Sequence, residues 1–168
     1  MSIEDRLAAL EAEVRELRDI AEITKLAMSY GPLVDSGSPD AVADLYVADG
    51  VYDVDEICMN NREEIRAMVS SDGHQAWITG GAAHFTGPIT VTVNGDTAKA
   101  VGHTLMMVKD EGEFRFFARR ATASVWEFVR TDRGWKISRR TNRLLDGREE
   151  SRALFADALG ATRFVPES

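Results

Sequence analysis

The stretch that decides the fold is AHFTGPITVTVNGDTAKAVGHTLMMVK, residues 83–109. Apolar and polar side chains alternate along both of its halves, and the Asn94-Gly95 dipeptide between them favours a tight hairpin turn. We therefore predict antiparallel strands over 83–94 and 97–109. Because proline has no amide hydrogen for a neighbouring strand, the Gly87-Pro88 dipeptide predicts a bend in the first strand.

The sequence after this hairpin keeps the alternating pattern. It predicts two more strands, over 114–131 and 134–145, which follow turn-forming residues at 109–113 and 132–134. The four strands are then successive antiparallel hairpins. A final helix is predicted over 148–158, with three apolar side chains to bury: Leu154, Phe155 and Leu159.

The sequence before the hairpin opens with a long amphipathic pattern. It predicts a helix from about residue 3 to Tyr30, which Gly31-Pro32 ends because proline disfavours helix in the residue before it. The first apolar positions have 3-4-3 spacing, which is typical of a core face and is also compatible with pairing to another helix. The apolar stripe consists of Leu7, Leu10, Val14, Leu17, Ile20, Ile23 and Ala27.

Shorter elements follow. Ser38 and the proline after it predict the start of a short helix that runs through Tyr46, carrying Val42 and Leu45. Asp49-Gly50 predicts a turn, and the alternation over 51–54 predicts a strand.

A third helix is predicted after Asn60 or Asn61, either of which can cap it, with Ile65, Met68 and Val69 facing inward. Three glycines then predict a loop around Trp77: Gly73, Gly80 and Gly81.

This order of elements predicts an α+β fold, with helices on one face of a strongly curved antiparallel or mixed sheet that encloses a cone-shaped cavity. The 168 residues fit one domain, residues 1–168. The net charge of −8 and pI near 4.9 argue against a nucleic-acid partner. The only basic cluster comprises Arg119, Arg120, Arg139, Arg140 and Arg143, and such residues usually pair with surface acids.

Cysteine content and hydropathy limit which covalent or metal sites and which cellular location we expect. Cys58 is the sole cysteine, which excludes an intramolecular disulfide and a tetrathiolate metal site. No Cys/His cluster has metal-ligand spacing, so we expect no metal. The sequence shows no secretory leader and no apolar run long enough for a membrane span, so we expect a cytoplasmic protein with no membrane contact.

Four residues are candidates for acid–base chemistry. His84 begins a strand, and His103 alternates with Val101, Leu105 and Met107 on the face of the next strand that we expect to be buried. Tyr30 and Asp35 lie five residues apart around the predicted helix end. Each has an ordinary structural explanation as well: a hydrogen-bonded core histidine, a core aromatic or a turn residue.

The sequence resembles the nuclear transport factor 2-like superfamily, in particular its SnoaL-like branch of small cofactor-independent dehydratases, isomerases and cyclases. Four segments carry the resemblance: IEDRLAALEAEVRELRDIAEITKLAMSYGPLVDSG, PDAVADLYVADGVYDV, AAHFTGPITVTVNGDTAKAVGH and SVWEFVRTDRGWKISRRTNRL. The opening is most similar to bile acid 7α-dehydratases, and hexachlorocyclohexane dehydrochlorinases and scytalone dehydratases are more distant likenesses.

The resemblance implies a set of site residues. It places a catalytic His-Asp dyad on His84 and Asp35, with Tyr30 as a third catalytic residue. It further implies three substrate-binding residues: His103, Tyr52 and, after a one-residue shift, Arg143.

The expected function is a cofactor-independent acid–base lyase or isomerase of the dehydratase type, acting on a hydrophobic cyclic molecule such as a steroid, polyketide or aromatic ring. Two alternatives stay open: a non-catalytic small-molecule-binding or assembly module, and a polyketide cyclase. We also expect a homo-oligomer, since an apolar outer sheet face must be covered; the resemblance favours a trimer, with a dimer as the alternative.

Overall fold

The computed structural model describes residues 1–55, 57–110, 112 and 115–163. Helices dominate its first half and strands its second, which confirms the α+β prediction. The elements are α1 (Ile3–Asp35), α2 (Pro39–Asp44), β1 (Tyr46–Val54), β2 (Ile57–Met59), α3 (Arg62–Ser70), α4 (Asp72–Gly81), β3 (Ala82–Asn94), β4 (Thr97–Lys109), β5 (Phe116–Thr131), β6 (Gly134–Leu144) and α5 (Glu149–Leu159).

The strands form one open six-stranded sheet in the order β2-β1-β6-β5-β4-β3. The strands β3 to β6 pair as successive antiparallel hairpins, as predicted, whereas β1 runs parallel to β6 and makes the sheet mixed. The β3–β4 register shifts between Thr86 and Ile89, on either side of Gly87-Pro88, which confirms the predicted irregularity. Phe114 and part of the turn predicted at 109–113 lie outside the described residues.

The long helix ends later than predicted. It continues past Tyr30 to Asp35, with Pro32 inside its last turn. The missing amide of Pro32 removes only one helical hydrogen bond, and the Ser36 amide closes the turn by donating to the Pro32 carbonyl oxygen at 3.0 Å.

Two more boundaries differ from prediction. Tyr46 begins β1 instead of ending α2, and Asp49-Gly50 lies within β1, at a register irregularity between Tyr46 and Val51, instead of forming a turn. The predicted loop around Trp77 is the helix α4.

The helix α4 forms because its glycines lie near its ends. The Ser71 hydroxyl caps the start by accepting from the His74 amide at 3.3 Å. Gly81, with φ of 99°, is the last helical residue, where a left-handed conformation ends a helix readily.

The other helix predictions have mixed outcomes. Asn61 caps α3, its side chain accepting from the Glu64 amide at 2.9 Å, and Ile65 and Val69 are buried as predicted. In α5, by contrast, Leu159 is 55% exposed, because the buried positions of that helix are Ser151 and Ala156.

The first half of α1 is not a core face. Residues 1–18 are exposed throughout, and the helix meets the sheet only from Asp19 onward. From there one side of α1 packs against an aromatic-rich core between the helices and the sheet. This core includes Ile23, Ala27, Tyr30, Val34, Tyr46, Tyr52, Trp126, Phe128 and Trp135.

Within the described part of the chain, none of the helices combines the length and apolar character that a membrane span requires. The same residues contain no group of three or more His, Cys, Asp or Glu side chains arranged to hold a metal ion.

Candidate functional site

The strand registers define the inner wall of the curved sheet, because directly opposed residues of antiparallel strands point to the same face. His84 of β3 opposes Met106 of β4, which opposes Arg120 of β5. Deeper rows on the same face follow from the same registers: Thr86, Thr104 and Thr122, then Ser124 and Asn142, then Ala100, Trp126, Arg140 and Tyr52.

Asp35 holds His84 through two hydrogen bonds. The Asp35 Oδ1 atom lies 2.6 Å from His84 Nδ1, and Oδ2 accepts from the His84 backbone amide at 2.8 Å. Both side chains are partly buried, at 25% and 21% exposure. A carboxylate beside Nδ1 favours the tautomer with the proton on that nitrogen, which leaves Nε2 with a free lone pair.

The close approach of α1 to β3 brings the two residues together. A Cβ atom on Gly31 would lie 2.0 Å from the His84 carbonyl oxygen, so only glycine allows this contact. Asp35 follows one turn later on the same helix and therefore faces the start of β3.

The helix α4 adds a second histidine that the sequence prediction missed. The His74 ring stacks on the His84 ring, with centroids 5.7 Å apart and an interplanar angle of 22°. Burial, with His84 as a secondary cause, lowers the pKa of His74, and its Nδ1 is buried without a hydrogen-bond partner among the described residues.

Trp77 lies near His74 on the same helix, with ring centroids 6.5 Å apart, and the Arg119 guanidinium lies over the Trp77 ring at 5.1 Å. The sequence feature that could have predicted this pair is the three-residue spacing of His74 and Trp77, which puts both on one face of a helix.

Tyr30 lies deeper in the interior, beneath a buried arginine. The Arg140 guanidinium carbon is 4.0 Å from the centre of the Tyr30 ring, 4.8 Å from that of Tyr52 and 4.9 Å from that of Trp126. Burial, and secondarily the neighbouring Tyr52, raise the pKa of Tyr30 well above its ordinary value, so its hydroxyl stays protonated.

Arg140 is only 2% exposed, and its Nε and Nη1 atoms have no hydrogen-bond partner among the described residues. The Tyr46 hydroxyl and the Trp126 Nε1 atom in the same cluster are also buried and unpaired there. A buried donor without a partner lowers the stability of a fold. This cluster therefore keeps polar groups with unused hydrogen-bonding capacity at a cost in stability.

A chain of polar side chains links the inner wall to Tyr52. The Thr104 and Ser124 hydroxyls are 2.6 Å apart, Ser124 donates to Asn142 at 2.5 Å, and the Asn142 amide donates to the Tyr52 hydroxyl at 3.1 Å. Tyr52 therefore faces the interior.

His103 does not join this group. It lies exposed on the outer face of β4, where its ring packs 4.8 Å from that of Phe155 in α5. The prediction that His103 shares the buried face was wrong, because the inner positions of β4 are occupied by Ala98, Ala100, Thr104 and Met106.

Arg143 also lies apart from Tyr30 and His84. Its Nη1 and Nη2 atoms donate to the two oxygens of Asp53 at 2.8 and 3.0 Å, and they hold the pKa of Asp53 below its ordinary value. Ser138 is an extra residue in β6, since Phe128 opposes Ile137 and Glu127 opposes Arg139. This bulge changes the alternation, so Arg140 instead of Arg143 faces inward.

Comparison with known proteins identifies the family. The sequence profile of the SnoaL-like domain matches residues 15–141. The chain belongs to the SnoaL-like domain family. An NTF2-like protein with a cystatin-like fold from Novosphingobium aromaticivorans is 43% identical, with a TM-score of 0.85 over 88% of this chain and 96% of that one. The superfamily and fold expected from the sequence are thereby confirmed.

More distant solved structures share the fold. A hexachlorocyclohexane dehydrochlorinase from Novosphingobium barchaimii is 19% identical, with a TM-score of 0.67 over 79% of this chain and 90% of that one. A Catenulispora acidiphila protein in complex with S-DNPA is 16% identical, with a TM-score of 0.64 over 74% of this chain and 92% of that one. No curated protein matches the chain significantly.

Proposed function

We propose that this SnoaL-like domain protein is a lyase or isomerase of the dehydratase type that uses His84 as its general base. The observation that carries the proposal is the 2.6 Å contact between Asp35 and His84 Nδ1. A carboxylate on one ring nitrogen orients the imidazole and stabilises the imidazolium that forms when the other nitrogen takes a proton.

In the proposed reaction, His84 Nε2 removes a proton from a carbon next to an electron-withdrawing group of the substrate. The electron pair of the broken C–H bond then expels a leaving group from the adjacent carbon, which gives an elimination. Return of the proton to a different carbon of the same anion gives an isomerisation instead. Both routes use a single base and need no cofactor, as the family resemblance implies.

Tyr30 and Arg140 supply the electrophilic side of the reaction. The raised pKa keeps the Tyr30 hydroxyl protonated, so it remains a hydrogen-bond donor to a developing oxyanion or a leaving hydroxyl. Arg140 adds a buried positive charge, with its guanidinium carbon 4.0 Å from the centre of the Tyr30 ring and its Nε and Nη1 atoms without a hydrogen-bond partner among the described residues. We assign to Arg140 the role that the resemblance gave to Arg143, and His103 has no part in this proposal.

The substrate class is proposed from the family resemblance, which implies a hydrophobic ring system that binds mainly by apolar burial. Aromatic side chains that such a ring would contact, among them Tyr30, Tyr52 and Trp126, lie in the core between α1 and the sheet. The polar groups that orient it are few: the Thr104–Ser124–Asn142 chain, Tyr52 and Arg140.

The test begins with a thermal-shift screen of steroids, polyketide-like phenols and chlorinated rings, because a ligand stabilises the folded state by RT ln(1 + [L]/Kd). Turnover of the compounds that bind is then compared in three variants. We expect His84→Ala to abolish turnover and Asp35→Asn to reduce kcat by about 10²- to 10⁴-fold. His103→Ala, matched in residue type but on the outer face, should keep wild-type turnover.

Full turnover by His84→Ala would overturn the assignment of the base. Binding without turnover in the wild type, across every class of compound that binds, would instead favour the non-catalytic binding module.

A further inference from the structure

The solvent-exposed half of α1 carries an apolar stripe that the fold leaves uncovered. Leu7, Leu10, Val14 and Leu17 are each between 44% and 58% exposed, and Ile3 is 83% exposed. The stripe does not turn into the core where α1 reaches the sheet, because the buried side of the helix there is formed by a different set, which includes Ile23, Ala27 and Tyr30.

The stripe follows a heptad pattern. With Leu7 at position a, the a positions are Leu7, Val14 and Ala21 and the d positions are Ile3, Leu10 and Leu17. This is the apolar seam of a coiled coil, sustained over residues 3–21, or about 28 Å of helix. In a coiled coil, such a seam packs against the seam of a second helix.

The flanking charges identify that second helix. Arg6 and Glu13 occupy g positions, and Glu11 and Arg18 occupy the e positions that follow them by five residues. In a parallel, in-register pair each g side chain faces the following e side chain of the partner helix. Arg6 then faces Glu11 of a second copy, and Glu13 faces Arg18, so every such contact joins opposite charges.

The antiparallel arrangement fits less well. It pairs e with e and g with g, and its symmetric register sets Glu11 against Glu11 and Glu13 against Glu13 at the centre of the seam. None of the four charged side chains has an ion-pair partner within the described part of the chain, so all are available to a second copy.

We propose that α1 forms a parallel coiled coil with α1 of a second copy of this chain, through Ile3, Leu7, Leu10, Val14 and Leu17. The inference is independent of the proposed function, because it involves none of the residues around His84. It assigns the assembly contact to the helix instead of to the sheet.

Charge reversal tests the pairing without changing net charge. The first variant, Glu11→Arg with Arg18→Glu, turns every g–e contact into a like-charge pair, and so does the second, Arg6→Glu with Glu13→Arg. The four substitutions together restore opposite charges at each contact. A control variant, Arg15→Glu with Glu16→Arg, changes charges at b and c positions, outside the seam.

Molar mass is measured by light scattering at several concentrations, and circular dichroism melting checks that each variant folds. We expect the wild type, the control and the fourfold variant to have a multiple of the 18.6 kDa chain mass, and the two double variants to fall to 18.6 kDa. A monomeric wild type would overturn the proposal. So would a double variant that keeps the wild-type mass, or a fourfold variant that stays monomeric while the control assembles.

Discussion

The substitution Gly31→Ala sets two physical effects against each other. Gly31 lies inside α1, where alanine is favoured over glycine by about 1 kcal/mol, so helix propensity alone predicts a more stable protein. The structure predicts the opposite, since the added Cβ would lie 2.0 Å from the His84 carbonyl oxygen.

The size of the conflict follows from that distance. Carbon–oxygen contacts in proteins are usually no shorter than about 3.3 Å, so α1 and β3 must separate by about 1.3 Å. Overpacking of a close-packed interior costs about 1–3 kcal/mol. The oxygen that the Cβ meets belongs to the backbone and the Cβ itself cannot rotate away from the helix, which places the cost at the upper end. After the gain in helix propensity, we expect a net loss of about 2 kcal/mol and a Tm lower by about 4–8 °C.

The same displacement acts on the site. The two hydrogen bonds that Asp35 accepts from His84 are 2.6 and 2.8 Å long, and a shift of about 1.3 Å takes both beyond hydrogen-bond range. A misplacement of this size costs about 10²-fold in rate where the pair is catalytic. Gly31→Ala should therefore lose turnover as well as stability.

Urea and thermal unfolding measure the stability, with Gly80→Ala as the matched control. Gly80 is also helical, and a Cβ there meets nothing within 4 Å, so its replacement should stabilise the protein by up to about 1 kcal/mol. A Gly31→Ala protein as stable as the wild type would refute the packing argument.

Three further predictions concern stability. Burial lowers the pKa of His74, so the stability that the neutral imidazole contributes is fully present above its ordinary pKa of 6.5 and is lost as the pH falls below that value. In urea unfolding, the His74→Phe protein should therefore lose less stability between pH 7 and pH 5 than the wild type, and equal losses would contradict the argument. Asp19 accepts two hydrogen bonds from Arg130, at 2.8 and 2.6 Å, and one from Trp135 at 3.0 Å. Asp19→Asn should therefore lower the free energy of unfolding by about 1.5–3 kcal/mol, and an unchanged urea midpoint would contradict this prediction. Asn61→Ala removes the cap of α3 and should cost about 1 kcal/mol, measured in the same way, whereas Asn61→Asp should keep the stability.

The sheet was predictable because its signals are local. A period of two, an Asn94-Gly95 turn and a Gly87-Pro88 interruption predict the β3–β4 hairpin, and the structure has all three features where the sequence places them. The Asn61 cap is local in the same sense. Each of these features depends on residues within a few positions of one another.

The inner side of the sheet was not predictable from the same pattern. Both faces of β4 are apolar: Val101 and Leu105 alternate with Ala100 and Met106. Alternation shows that two faces exist but does not say which one the helices cover, so His103 was placed on the wrong face. His74 was missed for a different reason, because glycines that stand near the ends of α4 resemble a loop in sequence.

The remaining site residues depend on places where the regular patterns are broken. If Ser138 were paired like its neighbours, alternation from Ile137 would point Arg143 inward; because Ser138 is bulged, Arg140 takes that position beside Tyr30. Gly31 weakens its helix and at the same time permits the contact that seats His84 against Asp35. Natural sequences depart from local rules mainly where a compensating gain exists. Both departures lie beside the residues of the proposed site. We therefore expect that the gain that compensates for them is the function of that site.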